Sequence, residues 1–154
     1  MRSAERRALL AGALLVLASA AGADCAPLRW AEDGTLPEPL TGARGDPDRG
    51  AAVALDRHRG DCTICHRLPL PGRRFHGTVG PALDDVGRRL TPAQLRARIA
   101  APRRSVPATV MPEYCTTGDR YRVDPAVAGE PILSAAEIED LVAWLATLRG
   151  ETTP

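Results

Sequence analysis

Apolar residues recur at helical spacing in three stretches of the chain, and nowhere do they alternate with a period of two over a length that would make a strand. The first stretch opens at Asp46-Pro47-Asp48. Asp46 suits a cap, Pro47 the first helical position and Asp48 the positive end of the helix dipole. This pattern predicts a helix to about Arg57, with Ala51, Ala52, Val53 and Leu55 keeping one side small and apolar and His58-Arg59-Gly60 ending it. The second stretch opens at Thr91-Pro92-Ala93-Gln94, a capping box with Pro at the first helical position; Leu95 and Ile99 form its apolar face and Pro102 bounds it. The third opens at Ser134-Ala135-Ala136-Glu137, a start of the same kind. Ile138, Leu141, Val142, Leu145 and Leu148 follow at helical spacing, and Gly150 is a good stop. Residues 112–131 and those before Asp46 are rich in Pro, Gly and polar side chains and read as ordered loops or linkers. No segment repeats. The expected fold class is all-α, with three or more helices and long loops.

The N-terminus carries a different pattern. Arg2, Arg6 and Arg7 precede an apolar run from Ala8 to Ala21, and Ala18-Ser19-Ala20 and Ala21-Gly22-Ala23 both fit a small-residue cleavage site. Residues 1–23 therefore read as a secretory signal peptide. The run is short of the roughly 20 residues a membrane span needs, which counts against an uncleaved anchor. The expected organisation is a signal peptide at 1–23, an N-terminal extension at 24–45 and one domain at 46–150, with an exported, periplasmic mature chain and no stable membrane insertion. Length agrees: 154 residues and 16.3 kDa suffice for one domain with a core. All 20 basic residues are Arg, and loss of 1–23 removes three of them and one Glu, so the mature chain has 17 Arg against 18 acids. A balance that close to zero gives no footing for nucleic acid. Aromatic residues are only 3% of the chain, a thin supply of core bulk that a bound prosthetic group would supplement.

The candidate chemistry lies just after the first predicted helix. Cys62-Thr63-Ile64-Cys65-His66 is the C-x-x-C-H pattern of c-type haem attachment. Two thiols must reach two vinyl groups on one edge of a porphyrin, and a helical turn with two intervening residues sets that separation. The following His is then held beneath the iron as an axial ligand. Three other readings compete. A zinc site would need further Cys or His at ligand spacing, which Cys115, His58 and His76 do not offer. A thioredoxin-like pair would want a strand before Cys62, and a plain disulfide would leave His66 without a purpose. Met111, held in Val110-Met111-Pro112, is the only Met after the initiator. A lone Met can simply fill a core, but one in a Pro-stiffened loop fits the sixth ligand of the iron better. His/Met ligation raises the potential and leaves electron transfer, not oxygen or peroxide chemistry, as the expected activity.

With the haem motif after the first helix and the Met before the last, the chain resembles the class I cytochromes c. Gly77-Thr78-Val79-Gly80-Pro81-Ala82-Leu83 is similar to that family's Gly-Pro-x-Leu element, where the Pro carbonyl accepts a hydrogen bond from the non-ligating nitrogen of the haem His. The resemblance assigns that role to Pro81. Further similarity is to the SoxX family. It rests on Pro39-Leu40-Thr41-Gly42, Gly45-Asp46-Pro47-Asp48-Arg49-Gly50, Met111-Pro112-Glu113-Tyr114, Arg122-Val123, Gly129-Glu130-Pro131-Ile132-Leu133 and the last helix, and it spans about residues 37 to 149. SoxX proteins are mono-haem subunits of SoxAX cytochromes, which join thiosulfate sulfur to a cysteine of the carrier protein SoxYZ. The resemblance implies one covalent haem c with its iron and a SoxA-like cytochrome partner. It also implies SoxYZ as carrier and a small soluble cytochrome c as electron acceptor. This chain would be the non-catalytic electron-transfer subunit of a heteromeric L-cysteine S-thiosulfotransferase. The alternatives are a free periplasmic cytochrome c shuttle and a self-sufficient haem enzyme or sensor, the last disfavoured by Met111.

Cys115 departs from that family, where a second aromatic is more usual, and carries no family role. A disulfide with Cys25, a free buried thiol, and a sulfur-reactive thiol or alternative iron ligand all stand open. The length of the 112–131 segment predicts that it packs along the haem edge and helps form the SoxA docking surface. Arg73-Arg74, Arg88-Arg89 and Arg103-Arg104 are expected as exposed pairs, either a solvated face or a steering patch for an acidic partner.

Overall fold

The computed structural model describes Cys25 and residues 27–70, 75–118, 122–125 and 128–150. The expected signal peptide, the Arg73-Arg74 pair and parts of the 112–131 segment lie outside the described residues. Among the described residues the regular structure is entirely helical: α1 (Pro47–Leu55), a 3₁₀ turn (Cys62–Ile64), α2 (Val86–Arg89), α3 (Pro92–Ala100), α4 (Pro102–Ser105) and α5 (Ala135–Thr147). None of these helices is long and apolar enough to cross a membrane.

The three strongly patterned helices start where their caps predict. Asp46 accepts from the amides of Asp48 and Arg49 at 2.8 and 3.2 Å. Thr91 with Gln94, and Ser134 with Glu137, form complete capping boxes. Two details of α1 differ from expectation. It stops at Leu55, because Asp56 turns extended and its carboxylate takes the His58 amide at 2.9 Å. Its buried side is centred on Gly50 and Ala54, while Ala52 is exposed. The reason is close packing on α5: a Cβ at Gly50 would lie 2.0 Å from the Asp140 carbonyl oxygen, so only glycine permits the crossing. The core gathers Leu95 and Ile99 of α3 with Ile138, Leu141, Val142 and Leu145 of α5.

The N-terminal extension is part of this packing. Leu36 is 1% exposed, and Trp30 and Leu40 pack against the core. Two acidic residues of α5 hold the extension down. Glu139 accepts from Arg96 of α3 at 2.6 and 2.8 Å and from the Leu40 amide at 2.9 Å. Arg96 in turn donates to the Leu36 carbonyl at 2.6 Å. The neighbouring Asp140 takes the Asp46 amide at 2.7 Å and the Arg49 guanidinium at 2.8 Å. Arg96 and Glu139 are almost fully buried, so each charge is tolerable only because the other and the backbone satisfy it.

Candidate functional site

The end of α1 feeds a tight turn. Asp61 N–H donates back to the Asp56 carbonyl at 3.0 Å, and the amides of Cys65 and His66 both reach the Cys62 carbonyl at 3.3 and 2.9 Å. One turn therefore presents both thiols and the imidazole. Buried Thr63 donates its hydroxyl to Asp61 at 2.5 Å, fixing the start of that turn. Burial, assisted by the nearby Asp61 charge, pushes the Cys62 thiol up to about 11, so before it is consumed this sulfur stays protonated.

The segment after the turn is laced onto a second loop. Gly77, Gly80 and Leu83 donate their amides to the carbonyls of Thr63, Cys65 and Arg67 at 2.8, 2.9 and 2.9 Å. This lacing puts the Pro81 carbonyl 2.7 Å from His66 Nδ1. A carbonyl only accepts, so Nδ1 carries the proton and donates, which leaves Nε2 as the free lone pair for a metal. Gly80 was missed by sequence reasoning. A Cβ there would lie 2.3–2.8 Å from three atoms of the His66 ring, so the ring packs directly on backbone. The signal lay in the Gly-Pro pair itself, read only for its proline.

Cys62, Cys65, His66, Pro81 and Met111 all line one cavity of about 380 Å³. The rest of its wall is mainly aliphatic, from α2, α3, α5 and the 106–112 segment, with Arg89 and Arg98 as its cations. An apolar space of that size joined to two thiols, an imidazole nitrogen and a thioether suits a flat, mostly apolar metal complex. A bare ion does not suit it: among the described residues no three His, Cys, Asp or Glu side chains cluster to hold one. His76 is engaged instead, accepting the Leu68 amide at 3.4 Å. Buried Tyr114, also unpredicted, lines the cavity and donates its hydroxyl to the Gly60 carbonyl at 3.4 Å. Burial, reinforced by the two nearby Cys groups, holds that phenol protonated far above its ordinary range.

The remaining expectations divide. Cys25 and Cys115 form a disulfide, with Cα atoms 5.5 Å apart, so Cys115 is neither a free thiol nor an iron ligand. Cys62 and Cys65 are not bridged. Of the arginine pairs, Arg89 is committed to Asp85 and the Ala82 carbonyl, and Arg104 stacks on Trp30 at 4.5 Å. All four, Arg88, Arg89, Arg103 and Arg104, are exposed, as expected.

A family model described as cytochrome c matches residues 47–149. Among solved structures, a chain of SoxXA from P. pantotrophus is 35% identical. The match covers 79% of this chain and 94% of that one, with a TM-score of 0.72. No curated protein matches the sequence. The family match spans the first helix to the last, with the cavity, its two unbridged cysteines and its histidine inside it, and the long match to a SoxXA chain narrows it further: this chain belongs to the cytochrome c family, as a SoxX-like c-type cytochrome that carries covalently bound haem c and transfers electrons.

Proposed function

We propose that this protein is the electron-transfer subunit of a periplasmic SoxAX-type complex. It takes electrons released when thiosulfate is joined oxidatively to a cysteine of a SoxYZ carrier, and passes them to a small soluble cytochrome c. The observation that carries the reading is the near full-length match to a chain of SoxXA, 94% of which is covered at 35% identity. The Cys25–Cys115 disulfide supports an oxidising compartment and therefore export with loss of residues 1–23.

Within this reading Cys62 and Cys65 would anchor the haem, and His66 and Met111 would hold its iron. When bound, the haem supplies a one-electron couple. The residues around it set the conditions. His66 Nδ1–H donates to Pro81, which orients the ring and makes Nε2 a better donor. Met111 offers a soft thioether that favours the reduced state. The aliphatic wall lines most of the site, while Arg98 adds positive charge along it and Arg89 is paired with Asp85. The subunit is not catalytic alone; thiosulfate handling belongs to the SoxA-like partner.

The test is capture of tagged, haem-loaded protein from its native periplasm during growth on thiosulfate, followed by assay of the purified complex with SoxYZ. A stoichiometric second cytochrome and thiosulfate-dependent haem reduction are expected. A lone monomer that only exchanges electrons with other cytochromes would make it a mobile shuttle.

A further inference from the structure

The Cys25–Cys115 disulfide lies outside the haem motif, yet it closes on the segment that carries Met111. Only three residues separate Met111 from Cys115. Met111 itself is lightly held. Its amide donates to the Thr109 hydroxyl at 3.1 Å, and its neighbour Val110 is 77% exposed. The firm anchorage lies just downstream. Tyr114 and Cys115 donate their amides to the Ile99 and Ala100 carbonyls at the end of α3, at 3.4 and 3.1 Å, and Leu133 donates to Tyr114 at 3.0 Å. Cys115 is buried at that anchor, and its bridge reaches back 90 residues to the extension. The extension is itself fixed to the same region, with the Leu36 amide on the Ala93 carbonyl at 3.3 Å and Trp30 under Arg104. The His66 side of the site is laced mainly by its own neighbours: Gly77, Gly80 and Leu83 donate to Thr63, Cys65 and Arg67, and His66 Nδ1 to Pro81, with the Tyr114 hydroxyl on the Gly60 carbonyl as a link to the Cys115 side.

We propose that the Cys25–Cys115 disulfide is a positioning clasp for Met111: it holds the methionine loop against the end of α3, and its loss lets a small exogenous ligand compete for the Met111 side of the haem. The inference rests on Met111 being the sixth ligand. Cleavage by a dithiol balances as exchange. The S–S bond takes two electrons and two protons from the reductant, Cys25 and Cys115 become thiols, and the reductant closes its own disulfide. Cys25 is half-buried and Cys115 buried, so the Cys25 end is the more open to attack.

The test uses the mature haem-loaded protein in its ferric form. It compares wild type, Cys25→Ser/Cys115→Ser and Ile138→Val, a buried α5 substitution away from the cavity that controls for general destabilisation. The readouts are the absorption band of methionine sulfur on ferric haem and titration with imidazole. Wild type and Ile138→Val are expected to show the band and bind imidazole alike. The double variant is expected to keep its helical circular dichroism but bind imidazole about ten-fold more tightly, as for a local opening eased by one factor of ten. Should the double variant not mature, dithiol-treated wild type, shown by mass to carry two free thiols and with its haem reoxidised, is titrated against the same criterion. Imidazole affinity within about two-fold of wild type once the bridge is gone, or an equal rise in Ile138→Val, overturns the clasp while leaving Met111 as ligand. A wild type that lacks the band and matches Met111→Ala overturns both.

Discussion

Gly80→Ala puts the haem-facing geometry under direct strain. The new Cβ would sit 2.3 Å from His66 Cε1 and 2.5 Å from Nδ1, whereas ordinary contact begins at 3.4 Å. Ring and loop must therefore separate by about 1 Å, since neither neighbour is a flexible chain end. The His66 Nδ1···Pro81 O bond is 2.7 Å, and that displacement along it would carry it beyond hydrogen-bond range. With His66 on the iron, as proposed above, the bond makes the imidazole a stronger donor, which favours the oxidised iron, so losing it moves the midpoint potential upward. A difference of about 0.5–1 kcal/mol between the two oxidation states is about 20–45 mV for one electron. The same substitution crowds a backbone-laced turn and is expected to cost about 1–3 kcal/mol of stability. Potentiometry of the haem-loaded variant, paired with guanidinium unfolding, reads both. A variant that keeps the wild-type potential and stability would refute the claim that ring and backbone pack without space for a methyl group.

Other perturbations address the frame around the site. Glu139→Ala strips Arg96 of its buried counter-charge and should cost about 3–5 kcal/mol in denaturant unfolding, whereas the paired change Arg96→Met/Glu139→Leu should recover only part of it, since the Leu40 amide and Leu36 carbonyl still lose their partners. Gly50→Ala gains about 1 kcal/mol of helix propensity but drives a Cβ into the Asp140 carbonyl, so a net loss of about 1–3 kcal/mol is expected by thermal melt. Burial alone would raise the Asp140 carboxyl, but the Arg49 guanidinium and the Asp46 amide outweigh it and hold it below 3.8. Its contribution is therefore complete above the unfolded value and fades as pH falls through the lower folded one. Asp140→Asn should accordingly lose less stability than wild type on acidification from about pH 4 to 2; parallel acid titrations would sink this reading.

How far the sequence could be read depended on the kind of interaction. Helix starts were legible because a cap is a local event: Asp46, Thr91 and Ser134 each bond to amides within three residues. The all-α class and the apolar face of α5 followed from periodicity alone. The end of α1 was not legible, since it depends on Asp56 choosing a turn over another helical bond. Nor was its buried face, because Gly50 is buried for lack of a side chain, which hydrophobicity patterns do not register. The parts of Glu139 and Asp140 were not legible either; their partners, Arg96 and the amides of Leu40 and Asp46, are 43 to 99 positions away. At the site, C-x-x-C-H, Pro81 and Met111 were visible as motifs and come together at one cavity. Gly80 and Tyr114 were not, because their parts are steric and become apparent only when the loops are brought together.

The two sides of the site differ in how they are held, and this bears on what each does. The His66 side is closed mainly by short-range lacing between two loops less than twenty residues apart, with the Tyr114 hydroxyl on the Gly60 carbonyl as its link to the other side. The Met111 side is closed at long range, through the end of α3, Leu133, the disulfide and an extension that α5 fastens with Glu139 and Asp140. A perturbation of the extension therefore reaches Met111 before it reaches His66. On the proposed reading, with Met111 as the sixth ligand, that is the side whose strength tunes the potential, while His66 and the two thioethers keep the haem in place. The tunable side is thus held by structure distant in sequence. The locally laced side keeps the cofactor anchored throughout.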